Sequence, residues 1–129
     1  MTNAARAALM AMALLFGASA AAAGTLTAHT DGVTAELTSQ PEQPRTNGKT
    51  SYTLRLIDPT GAPVTAAQVT LSGRMADGMS VLAPLRAAPE PGVYRGEVLF
   101  TMEGPWELRV RVARQGRRFE LPFKEQVTR

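Results

Sequence analysis

A chain of 129 residues with a formal charge of +3 has room for one small domain and a single core. It contains no cysteine, which excludes a disulfide framework, thiolate metal sites and thiol redox chemistry. Its cations are mostly single and interleaved with acids, as in Glu107-Leu108-Arg109, and only residues 114–118 and the tail form a local basic spot. A nucleic-acid footprint needs a clustered patch, so no nucleic-acid partner is expected and the turn arginines read as solubility charges.

Residues 1–23 carry one basic residue, Arg6, then an apolar run over 7–16 and a small-residue end, Ala21-Ala22-Ala23. This is the layout of a secretory signal peptide, with Ala-x-Ala met at Ala21 and Ala23 and a cut before Gly24; a cut after Ala22 satisfies the same rule. The apolar run is short against the ~20 residues of a membrane span, so cleavage is favoured over a retained anchor. The expected product is one domain over residues 24–129, periplasmic or secreted.

In residues 24–39, Leu26 and Ala28 alternate with polar residues, as do Val33, Ala35 and Leu37. Asp31-Gly32 between them predicts a turn joining two short strands. The breaker-rich 40–48 (QPEQPRTNG) is a loop. Residues 51–57 form the next strand, with Tyr52, Leu54 and Leu56 inward, and Asp58-Pro59-Thr60-Gly61 is a turn with Gly61 available for a left-handed position. Residues 64–71 hold a strand with Ala67, Val69 and Leu71 on one face. Residues 72–91 are the least regular: a loop around Met75 and Met79, one short strand near 81–86, then a turn. Gly73, Gly78, Pro84, Pro89 and Pro91 leave no window for a helix.

The strongest pattern lies in residues 91–112. Tyr94, Gly96, Val98 and Phe100 alternate with polar residues or Leu99; Trp106, Leu108, Val110 and Val112 alternate with Glu107, Arg109 and Arg111. A one-residue slip of the second strand would bury two arginines. The pair reads as a central hairpin, joined through Met102-Glu103-Gly104-Pro105, with Trp106 in the core. Residues 114–117 make another hairpin turn. Phe119, Leu121 and Phe123 follow on an edge strand marked by Pro122, open to a partner strand, and the tail 124–129 is expected to fray. Short strands at regular spacing, Gly/Pro turns and no helix make the fold class all-β, an immunoglobulin-like β-sandwich of about seven short antiparallel strands.

Catalytic constellations are absent from the sequence. His29 is the only histidine, no Ser/His/Asp set forms without it, no phosphate loop exists, and Asp31, Asp58 and Asp77 sit in turn contexts. The chain is expected not to be an enzyme. One set has chemistry of its own: Met75, Met79 and Met102, with His29 joining, as ligands of a metal. Thioethers are soft and match Cu(I), and a cysteine-free exported chain that handled copper would have to use methionine and histidine. Loops distant in sequence meet at one end of such a sandwich, so the three methionines can meet. Methionine is also an adaptable core filler, and Met102 near Trp106 fits sulfur–aromatic packing; on residue types alone, packing is favoured. Copper is thus a candidate ligand, and the other reading is a metal-free monomeric module that binds a periplasmic or membrane protein.

The ordered set Asp58, Gly61, Pro63, Val64, then Gly92 and Tyr94, then Met102, Gly104 and Trp106, with the Met75/Met79 loop between, resembles the YtkA-like family, which also includes FixH-like domains. The resemblance spans residues 33–112. It implies a small exported or membrane-anchored immunoglobulin-like domain, some of whose relatives accompany copper-handling and oxidase-assembly proteins. Family loops at the Met75 position tend to be methionine-rich and sometimes carry histidine. This chain keeps Met75 and Met79 without a nearby histidine, which weighs against a high-affinity copper site, and the retained membrane helix of the FixH-like branch is not expected in it, so FixH-like activity is not carried over.

Overall fold

The alternating segments do form strands. The computed structural model describes residues 24–129 and contains, among them, eight strands and no helix; the signal-peptide reading of 1–23 lies outside the described residues. The strands are β1 (Gly24–Thr30), β2 (Val33–Gln40), β3 (Thr50–Ile57), β4 (Gln68–Arg74), β5 (Ser80–Ala87), β6 (Val93–Val98), β7 (Gly104–Arg114) and β8 (Arg117–Val127).

All ladders are antiparallel. One layer is β1-β2-β3-β6 and the other is β4-β7-β8. The fifth strand belongs to both: Ser80 to Leu85 pair with β4, then Arg86 and Ala87 pair with Arg95 and Tyr94 of β6. The neighbours β2-β3-β6-β5 and β4-β7-β8 reproduce the constant-type immunoglobulin arrangement, with β1 added outside it. The immunoglobulin-like sandwich is therefore the fold, with eight strands rather than about seven.

Period-two alternation decides what is buried. Tyr52, Leu54 and Leu56 of β3 face Trp106, Leu108, Val110 and Val112 of β7 across the core, and each is at most 1% exposed. Phe100 fills the space between Tyr52 and Trp106, with ring centroids 6.4 and 5.1 Å away in edge-on geometries.

Two expectations are corrected. Residues 91–112 are not a hairpin, because β6 pairs with β3 and β5 while β7 pairs with β4 and β8. Residues 99–103 instead carry the chain from one layer to the other, turning Phe100 inward and leaving Leu99 out. Alternation marks the buried face of a strand but not its neighbour, so an arch and a hairpin look alike in sequence. Nor does the tail fray. The last strand continues to Val127, which is buried, and Thr128 donates its N–H to Pro44 O (2.9 Å) and accepts from Thr46 N (2.9 Å). The 41–49 loop thus supplies the tail with backbone partners.

The connections define two ends. At one, the β1–β2 turn uses left-handed Asp31 and Gly32 (φ 49° and 78°) and the β7–β8 turn uses Gln115 and Gly116 (φ 52° and 77°), the two-residue geometry that matches strand twist. Asp58 closes the β3 exit there: its Oδ1 accepts from Thr60 N (2.9 Å), Thr60 Oγ1 (2.6 Å) and Ala62 N (3.0 Å). The Thr60 hydroxyl, the Ala62 amide and the Arg114 charge hold its carboxyl below the usual range. At the other end lie the 41–49, 75–79 and 99–103 connections.

Candidate functional site

The three methionines are brought to one end of the sandwich. Met75 follows the last residue of β4, is half-buried and packs against the core. Its N–H donates to Met79 O (2.8 Å), Gly78 N donates back to Met75 O (3.1 Å), and Asp77 Oδ1 accepts from Met79 N (3.1 Å). Gly78 takes a left-handed φ of 98°, which lets the loop close. The 75–79 stretch is therefore a hydrogen-bonded hairpin loop that fixes its backbone, rather than the loose polar segment its composition suggests.

Met102 reaches the same end from the layer crossing. Its carbonyl accepts the indole N–H of Trp106 at 3.0 Å, so its backbone is held while its side chain is 43% exposed. Met79 is 37% exposed. The 75–79 loop reaches the start of β7: a Cβ on Gly104 would lie 2.8 Å from Met75 Cε, so that methyl rests on the first residue of β7, two positions after Met102. His29 is not part of this group. It sits on β1 opposite Thr34, next to the β1–β2 turn, with Nδ1 3.1 Å from Thr34 Oγ1. That is the opposite end, about 20 Å away at a strand rise of about 3.3 Å per residue. Among the described residues no three His, Asp or Glu side chains group as metal ligands.

One carboxylate does stand near this end. Glu125 occupies an inward position of β8, paired with Trp106, and accepts a hydrogen bond from Tyr52 Oη at 2.9 Å across the two layers. Burial raises the Glu125 carboxyl above its usual range, opposed by the Tyr52 hydroxyl and the Gln126 amide. Burial also raises the Tyr52 hydroxyl, and the neighbouring Glu125 charge adds to the shift. The outside of the same corner is an open groove of about 640 Å³ between Arg74, Met75, Pro105, Glu107 and Lys124.

The partner edge expected at residues 119–123 is the inner part of β8, which does end the strand order. Its Leu121 and Phe123 are core residues, and β1 lies against it. A feature the linear reading missed is the gathering of cations. Arg109 and Arg111 share the outer face of β7, and the same face carries Arg74, Arg118 and Lys124 on the flanking strands, paired with the neighbouring positions Glu107 and Ala113. Counting charges along the chain hides this; counting every second residue would have revealed it.

The YtkA-like family model matches residues 27–111, from β1 through most of β7 and including His29, Met75, Met79 and Met102. Among solved structures, a DUF4426 family protein from Pseudomonas aeruginosa PAO1 is similar at 14% identity and a TM-score of 0.63, over 81% of this chain and 95% of that one. The filamin domain of Lin-41 is similar at 18% identity and a TM-score of 0.49, over 66% of this chain and 81% of that one. No curated protein matches. The first of these structural likenesses bears on the fold alone.

Proposed function

This chain belongs to the YtkA-like family, and from that premise we propose that its accessory β-domain is exported, loses residues 1–23 and works without catalysis as a periplasmic binding module for Cu(I). In this reading Met75, Met79 and Met102 supply the ligands and His29 does not. The observation that carries it is that the 75–79 and 99–103 connections lie at one end of the sandwich, with Met75 resting on Gly104 two positions after Met102. Of the four exposed large apolar side chains among the described residues, two are methionines on these connections. Exposed methionine contributes little to a core, whereas its thioether suits a soft ion. With no acidic or histidine cluster to compete, the site would favour Cu(I) over harder divalent ions. An open three-thioether site suits passing the ion to a protein partner more than storing it.

The test is anaerobic Cu(I) titration of the 24–129 form against a competing chelator. The triple variant Met75→Leu/Met79→Leu/Met102→Leu should lose Cu(I) while keeping its circular dichroism, and His29→Ala should bind as the parent does. Unchanged affinity in the triple variant, or no competition by the parent, overturns the reading.

A further inference from the structure

We propose that the outer face of the β4-β7-β8 layer docks on membrane surfaces rich in anionic phospholipid. Cross-strand pairing sets Arg74 beside Glu107 and Glu107 beside Lys124, Arg111 beside Glu120, and Ala113 beside Arg118. Both acids are thus surrounded. Glu120 is shared by Arg109 (3.3 Å) and Arg111 (3.0 Å), while Arg74, Arg118 and Lys124 pair with no acid among the described residues. The outer face of the other layer is balanced, with Glu36, Glu90 and Glu97 against Arg55, Arg86 and Arg95 among threonines. A chain of modest net charge therefore presents most of its positive field on one side.

The shape of the face selects among polyanions. Three strands at about 4.8 Å spacing give a broad, shallow surface with spread charges, suited to many phosphates in a plane rather than one enclosed anion. Among the described residues no aromatic side chain is among the large exposed ones, so bases have no stacking platform. A stable protein interface centres on aromatic side chains and is depleted of lysine and glutamate, whereas this face has no large exposed aromatic among the described residues and carries Glu107, Glu120 and Lys124 among its arginines. Leu82 lies at the margin, across from Ser72 on β5 and 72% exposed, where it can enter the headgroup boundary.

Residues 24–129 hold all eight strands and the whole described core, so that form, free of the apolar leader, is the one to test. It is sedimented with vesicles of equal phosphatidylglycerol and phosphatidylcholine, and with pure phosphatidylcholine. Binding is expected to the anionic vesicles only and to weaken steeply with added salt. At roughly fivefold per cation, Arg109→Gln/Arg111→Gln/Arg118→Gln should weaken it roughly a hundredfold. The same three positions changed to Lys should retain most of it, which guards against a folding defect in the Gln variant. Arg55→Gln/Arg95→Gln on the balanced face should leave it unchanged. Equal sedimentation with neutral vesicles, parent-like binding by the Gln variant, or capture of a DNA oligonucleotide or a poly-glutamate peptide with the anionic vesicles left unbound overturns the proposal.

Discussion

The chain passes from the β1-β2-β3-β6 layer to the β4-β7-β8 layer over residues 58–67 and again over 99–103, returning within β5 between them, and the two loop crossings are held by different physics. The first is polar. Asp58 caps it with three hydrogen bonds, and the Tyr94 hydroxyl donates to Val64 O (2.7 Å) and accepts from Ala67 N (3.3 Å). The second is apolar, seated by the fully buried Phe100 between Tyr52 and Trp106, with a single indole hydrogen bond to Met102. Hydrogen-bonded crossings satisfy their own backbone and can be short of apolar residues. A ring-packed crossing needs side chains of its own, and those that do not fit inward are left outside, as Leu99 and Met102 are. The end with the candidate site is thus the end whose backbone is anchored by the core.

The sharpest way to break this contrast is to remove the ring on which the second crossing rests. Trp106→Ala should cost about 3–5 kcal/mol, the range for losing a large buried aromatic, and should free the Met102 carbonyl from its only side-chain partner. Chemical denaturation measures it, with Phe100 and Tyr52 expected to loosen together. A loss under about 1 kcal/mol would mean that the crossing does not depend on ring packing. At the polar crossing, Tyr94→Phe keeps the ring and deletes one hydroxyl, leaving Val64 O and Ala67 N to find water. It should cost about 1–2 kcal/mol by the same measurement. If the two substitutions cost the same, the distinction between the crossings fails.

The same contrast explains what was legible in the sequence. The polar end announces itself: Asp31-Gly32, Asp58 to Gly61 and Gln115-Gly116 are residues whose local chemistry dictates a turn, and each turn is where the residues put it. The strands and their inward faces follow from alternation. The apolar crossing had no local signature, since Phe100 continues the alternation of β6 into a segment that is no longer strand. The tail was misread because Lys124, Glu125 and Gln126 look like a solvated end, although parity places Glu125 inward and Val127 in the core. The methionines could be assigned to one end from the loop positions alone. His29 could have been assigned to the other from its closeness to Asp31-Gly32, since a residue beside one turn lies a strand length from the opposite loops. Side-chain exposure, which separates half-buried Met75 from open Met79 and Met102, has no counterpart in the sequence.

The smallest effect separates the ends by pH. The folded carboxyl of Asp58 is lowered, so the unfolded chain takes up its proton first as pH falls. Its contribution is present above the ordinary carboxylate range and disappears in acid. The shift at Glu125 has the other sign. A raised folded value means the unfolded chain ionises first, so stability from this group is greatest below the ordinary glutamate range and declines as pH rises through the folded value. Glu125→Gln keeps an oxygen to accept from Tyr52 and removes the ionisation. The variant should therefore match the parent in acid and exceed it at neutral pH by less than about 1 kcal/mol. Asp58→Ala should show the reverse, with a lower melting temperature at neutral pH and a gap that narrows in acid. Melting curves of the three proteins from pH 3 to pH 7, near the carboxylate range of about 4, would resolve this. Two gaps of the same sign would mean that burial does not govern the Glu125 carboxylate. The hydrogen bond to Tyr52 would then stabilise the charged form, and the loop end would be tied by a charge-assisted bond between its layers instead of by ring packing alone.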